Sequence, residues 1–128
     1  EAYKTLVTQA RSPVFYEQWQ VEDTLDGRFD CIVLHLCLVL QRLEENSDQE
    51  EVAVFMRLLS EAFVADMDRS LREMGASDTG VGVRVKKMAQ AFYGRKQVYA
   101  QALSAGAAQE TQLAEALRRN VYREREVD

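Results

Sequence analysis

Residues 29–43 read FDCIVLHLCLVLQRL. Laid on a helix at 100° per residue, Phe29, Val33, Leu36, Leu40 and Leu43 make one apolar stripe, and Cys31, Leu34 and Leu38 make a second. A helix apolar over most of its circumference has to be enclosed by others. This segment, expected to run from about Phe29 to Asn46, is therefore the central core helix. Its most apolar run, Cys31 to Leu40, is ten residues long, well short of the roughly 20 that a membrane span requires.

The flanking sequence supplies helices to enclose it. Upstream, AYKTLVTQAR (2–11) reads as a first helix, and Ser12 with Pro13 fits the cap and first position of a short second one. QVEDTLDGRFD (20–30) reads as a long irregular stretch with Asp26-Gly27 as its turn signal. Downstream, Ser47 and Glu50 in SDQE fit a capping box that opens a fourth helix reaching Met74, with Gly75 as its left-handed stop. ASDTGVG (76–82) reads as a glycine-bearing connector. From about Val83 the stripe Val85, Met88, Phe92, Tyr99 and Leu103 marks a fifth helix ending near Ser104 to Gly106. From about Ala107, Leu113, Leu117 and Val121 line a last helix, whose end RRNVYREREVD is charged enough to be expected to fray or extend into solvent. With one Pro, six Gly and no alternating β-branched run, the predicted fold is all-α. We expect a compact single-domain bundle of about six helices over residues 1–128, with the DMDRSLREMG and KKMAQAFYGR helices packed near one another.

The chain has 128 residues, 47% hydrophobic and 29% charged, enough to bury a sizeable core. Its net charge of -5 argues against nonspecific DNA binding. The charge is uneven: EENSDQEE (44–51) holds five acids and reads as a solvated helix junction, whereas Arg84 to Lys96 holds five bases and no acid. That second stretch is either an ordinary solvated face or an electrostatic face for RNA, lipid headgroups or an acidic protein. Cys31 and Cys37, six apart on one helix, point roughly 120° apart and cannot bridge each other. They read as reduced core thiols, which suits a reducing compartment. No signal peptide, transit peptide or transmembrane segment is read in this sequence.

DMDRSLREMG (66–75) concentrates five charges in ten positions. On a helix the stripe Leu59, Phe63, Met67, Leu71 and Met74 runs between two charged flanks, Asp66, Arg69 and Glu73 on one and Asp68 and Arg72 on the other. Asp66 and Asp68 diverge by about 160°. They cannot share a metal ion or act as an acid–base pair. His35 is the single histidine, on the line of Arg28 and Arg42; it is either a hydrogen-bonded core residue or a partner contact. Gly94 sits inside a predicted helix on a face away from Phe92 and Tyr99, either simply tolerated or leaving backbone bare for a partner. Arg84 and Arg95 could pair with Asp66 or Glu73 across helices. No glycine-rich phosphate loop, CxxC pair or serine elbow is present. These absences leave no constellation for catalysis and call for no cofactor.

As long strings in order, DGRFD (26–30), LH..LV..RL (34–43), DMD.SLREMG (66–75) and KKM..AFYGR (86–95) resemble the ubiquinol-cytochrome c chaperone family, over roughly Leu6 to Leu103. The resemblance implies an all-helical, non-enzymatic assembly factor of ubiquinol-cytochrome c reductase, respiratory complex III, that binds newly made cytochrome b. It also implies a small co-chaperone protein and association with the ribosome near the tunnel exit. The implied location is peripheral to the inner membrane, on the cytoplasmic side in bacteria or the matrix side in mitochondria. The matched positions are Asp26, Gly27, Arg28, Phe29, Asp30, His35, Asp66, Asp68, Arg72, Glu73, Lys86, Lys87, Phe92, Tyr93, Gly94 and Arg95. Candidate partner contacts are Asp26, Arg28, His35, Asp66, Asp68, Arg72, Glu73, Arg84, Lys86, Lys87, Phe92, Tyr93, Gly94 and Arg95. A ribosome- or RNA-binding module using Arg84, Lys86, Lys87, Arg95 and Lys96 is the alternative from a different class.

Overall fold

The computed structural model describes residues 1–75 and 78–123, and the backbone alone at 78 and 79. Among the described residues six α-helices follow one another: α1 (Ala2–Ala10), α2 (Pro13–Glu17), α3 (Leu25–Glu44), α4 (Glu50–Glu73), α5 (Asp78–Leu103) and α6 (Gln109–Asn120), with a short 3-10 turn at Gly106–Ala108. The described residues contain no strand, as the all-α reading expects.

Helix α3 is the centre. It packs against α1, α4 and α5, and buries Phe29, Asp30, Cys31, Ile32, Val33, Leu36, Cys37 and Leu40. Each large apolar side chain taken fully out of water contributes about 1.5–3 kcal/mol, so this one helix supplies much of the driving force for closure. Its second stripe is unevenly covered, since Cys31 is buried while Leu38 is 37% exposed. Helices α4 and α5 do pack together, with Phe63 and Phe92 rings 5.2 Å apart and Phe29 of α3 6.0 Å from Phe63. One aromatic column thus joins three helices. Both cysteines are free and buried on α3.

Several local expectations are corrected. Asp26-Gly27 is not a turn; both residues lie in the first turn of α3, which Thr24 caps by accepting a hydrogen bond from Gly27 N at 3.1 Å. Glycine is required there because an added Cβ would lie 1.8 Å from the carbonyl oxygen of Glu22. The expected capping box at Ser47 and Glu50 does not form. Asn46 N and Ser47 N donate back to Leu43 and Glu44 carbonyls, which holds this segment to the end of α3, and α4 starts behind Gln49 with no side-chain cap. Helix α5 begins at Asp78, so Gly80 and Gly82 are helical and the connector is shorter than expected; its Ala76 and Ser77 lie outside the described residues. Gly75 does stop α4 at φ +87, its N–H donating to the Arg72 carbonyl at 3.0 Å.

The largest correction concerns the C-terminal end. It does not run into solvent as far as Arg123. Ala116 and Val121 are buried in the core, Tyr122 donates its hydroxyl to the Trp19 carbonyl at 2.8 Å, and Arg123 reaches Asp30. The residues after Arg123 lie outside the described residues.

Candidate functional site

The charged flanks of α4 pair as their spacing requires. Arg69 bonds Asp66 and lies 4.0 Å from Glu73, and Arg72 bonds Asp68 at 3.0 Å. Asp66 also accepts the Tyr3 hydroxyl at 2.7 Å. Burial, reinforced by that bond to a carboxylate, pushes the Tyr3 hydroxyl well above its ordinary range. Among the described residues no three His, Cys, Asp or Glu side chains are placed to hold a metal ion.

Arg95 does not pair with Asp66 or Glu73. It turns instead to Asp30 on α3, with Nη1 2.5 Å from Oδ1 and the side chain 15% exposed. Asp30 is fully enclosed, and a lone carboxylate there would carry a large desolvation cost. Two guanidiniums satisfy it, since Arg123 donates through Nε at 2.7 Å and Nη2 at 2.9 Å. The hydrogen bonds to Asp30 raise the affinity of Arg123 for its proton. Asp30 belongs to the DGRFD motif, and its signal in the sequence is a carboxylate heading a helix that is apolar all round. Arg123 has no comparable local signal, because its partner is remote in sequence.

The candidate contacts are therefore not one site. Phe92 is 1% exposed and Arg95 is held in the ion cluster, so neither is a surface contact. The correction has a simple cause: Phe92 and Tyr99 define the inward face of α5, and Arg95 is near enough to that face to reach the buried carboxylate. Arg84, Lys86, Lys87, Tyr93 and Gly94 lie exposed on α5. Tyr93 and Asp68 border a groove between α4 and α5 with Val64, Ala65 and Val85. His35 borders a different, largely apolar groove with Leu6, Val39, Phe55 and Leu59; its Nδ1 lies 2.8 Å from the Cys31 carbonyl, and its ring meets Phe15 edge-on at 5.0 Å. It is half-buried and hydrogen-bonded, yet reachable. Asp26 is exposed beside Arg123, and Arg28 pairs with Asp23 at 2.8 Å.

A third concavity brings the motifs together. Where α3 begins and α4 ends, Leu25, Phe29, Ile32, Met67, Leu71, Met74 and Met88 enclose a cleft of about 80 Å³ bordered by Arg11, Arg28, Asp66 and Ser70. Residues from DGRFD, DMDRSLREMG and KKMAQAFYGR all contribute. The sequence reading placed Met74 in the buried stripe. It is 53% exposed because α4 stops at Glu73, and Leu25 opposite is 51% exposed. The cleft holds three of the four methionines, whose unbranched, polarisable side chains adapt to irregular apolar surfaces.

The family model described as ubiquinol-cytochrome C chaperone matches residues 17–128. That span starts later than the resemblance over 6–103 and includes the acidic junction and the C-terminal turn. A crystal structure of the Cbp3 homolog from Brucella abortus superposes with a TM-score of 0.83 at 40% sequence identity, covering 98% of this chain and 67% of that one. Among curated proteins, none matches the chain. The chain belongs to the ubiquinol-cytochrome C chaperone family.

Proposed function

We propose that this chain is a non-enzymatic chaperone in the assembly of ubiquinol-cytochrome c reductase, complex III, and that it shields an apolar segment of newly made cytochrome b in the methionine-lined cleft. Family membership supports the first part. The observation that carries the second is the cleft itself: an apolar floor of Ile32, Met67, Leu71 and Met88 continuous with exposed Leu25 and Met74. Such a surface suits side chains of a membrane segment that has not yet found its partners. No helix among the described residues is long and apolar enough to cross a membrane. No cofactor is needed for holding a client.

Photo-crosslinkers placed at positions 25 and 74 in cells should give adducts containing cytochrome b, and immunoprecipitation under mild detergent should recover it. Clean absence of cytochrome b from both would sink the reading.

A second reading, a ribosome or RNA contact, is supported by the exposure of Arg84, Lys86 and Lys87 on α5. Arg95 is committed to Asp30 and Lys96 is half-buried, so the basic face narrows to three side chains. Neutralising these three should weaken ribosome binding and flatten its salt dependence; an unchanged affinity rejects it. A small co-chaperone protein would fit the groove bordered by Asp68 and Tyr93.

A further inference from the structure

We infer that Asp30, Arg95 and Arg123 form a positioning cluster through which the C-terminal turn sets the α3 wall of the methionine-lined cleft, so that docking of residues 121–123 and binding in the cleft are coupled. The inference rests on the cleft being the binding site proposed above.

The contacts run in an unbroken series. Phe29 lines the cleft, and the Arg95 guanidinium carbon lies 5.4 Å from its ring centroid. The same Arg95 donates to Oδ1 of Asp30, the neighbour of Phe29, and Arg123 donates to both Oδ2 and Oδ1 of that carboxylate. Arg123 Nη1 also stands 3.9 Å from Asp26 in the first turn of α3. Tyr122 ties the same C-terminal turn to the Trp19 carbonyl, and the loop after Trp19 presses the Glu22 carbonyl against Gly27. The first turn of α3, which gives Leu25 and Arg28 to the cleft, is thus gripped from behind by Tyr122 and Arg123.

The grip is built to be released. Arg123 has φ +50, a backbone state costly for any residue with a Cβ, and its side chain is 44% exposed. If it leaves, Asp30 keeps Arg95 as its counter-ion and the buried carboxylate is not orphaned. The core can therefore survive undocking, while the α3 wall loses its support.

The test compares the full chain with Arg123→Gln and Arg123→Lys. Hydrogen exchange is followed at residues 24–31 and 117–122, with mid-α4 amides as control, and binding is measured with a fluorescein-labelled Leu/Ala peptide of about 20 residues, the length of a membrane span. Arg123→Gln should speed exchange at 24–31 about tenfold relative to the control and weaken the peptide about tenfold, with partial recovery in Arg123→Lys. Acceleration confined to 117–122, or none anywhere, overturns the coupling. If the wild-type chain does not bind the peptide, the cleft reading fails, and exchange at 24–31 still decides whether the turn supports the helix. If the peptide binds but neither exchange at 24–31 nor affinity changes, the coupling is wrong and the cleft reading stands.

Discussion

Asp30 and Arg123 lie 93 positions apart in the chain and meet through two hydrogen bonds, at 2.7 and 2.9 Å. That single relationship explains why the turn at residues 121–123 docks onto the core. A buried carboxylate with one cation still has acceptor capacity to fill, and the arginine that fills it carries Val121 and Tyr122 into place.

Replacing Asp30 with Ala would leave Arg95, 15% exposed, without its buried partner. Urea unfolding should show a loss of about 3–5 kcal/mol. A loss below about 1 kcal/mol would mean that solvent or another acid compensates Arg95.

Two glycines should respond with opposite sign. Gly27→Ala places a Cβ against the Glu22 carbonyl, forcing the loop away, and should destabilise by about 2 kcal/mol. Gly94→Ala in the exposed middle of α5 meets nothing within 4 Å and should stabilise by about 0.5–1 kcal/mol. If Gly94→Ala also weakens partner capture, its bare backbone is a contact; unchanged capture leaves it as simple tolerance.

The thiols predict loss of stability in alkali. Burial pushes Cys31 up to about 11 and Cys37 up to about 12 from an ordinary 9.0. Unfolded thiols ionise near pH 9 while the folded ones stay neutral, so unfolding releases protons above that pH. The stabilisation is complete below pH 9 and is lost as pH climbs towards the folded values. Burial likewise pushes Tyr16 up to about 12 from 10.0, adding to the fall only above pH 10. Tm measured between pH 8 and 10 should drop, and less steeply in the Cys31→Ala/Cys37→Ala variant; equal slopes would assign the drop elsewhere.

Tyr99 and Phe63 separate two kinds of burial. Phe63 is 0% exposed and packs at a tilt against Phe29 and Phe92, so Phe63→Ala should cost about 3–5 kcal/mol in urea unfolding. The Tyr99 hydroxyl is buried without a hydrogen-bond partner among the described residues, so Tyr99→Phe should be neutral or stabilise by up to about 1 kcal/mol. A clear loss on Tyr99→Phe would reveal a partner for that hydroxyl.

On the exposed rim of the cleft, Leu25→Asp and Met74→Asp should leave urea stability within about 0.5 kcal/mol, because both side chains are already half in water. Capture of an apolar peptide should fall about tenfold in each, as measured by fluorescence anisotropy. Unchanged capture would move the binding surface to another groove.

The helices, the centrality of α3 and the ion pairs along α4 were legible in the sequence because each depends on neighbours within a turn or two. The stripe Leu59, Phe63, Met67 and Leu71 is buried as its spacing required, and Asp68 finds Arg72 at i+4. The chaperone motifs were legible as strings, but which of their residues face solvent was not: Phe92 and Tyr93 are adjacent in sequence, one 1% and the other 59% exposed. Helix boundaries at Leu25 and Glu50 went astray where a local turn signal competed with a cap or a loop contact. The cleft, the Asp30 cluster and the docked C-terminal turn were decided only by tertiary structure. They join residues remote in sequence: apolar burial supplies the free energy, and the cost of leaving Asp30 unpaired selects which cations must meet it, neither of which local spacing encodes.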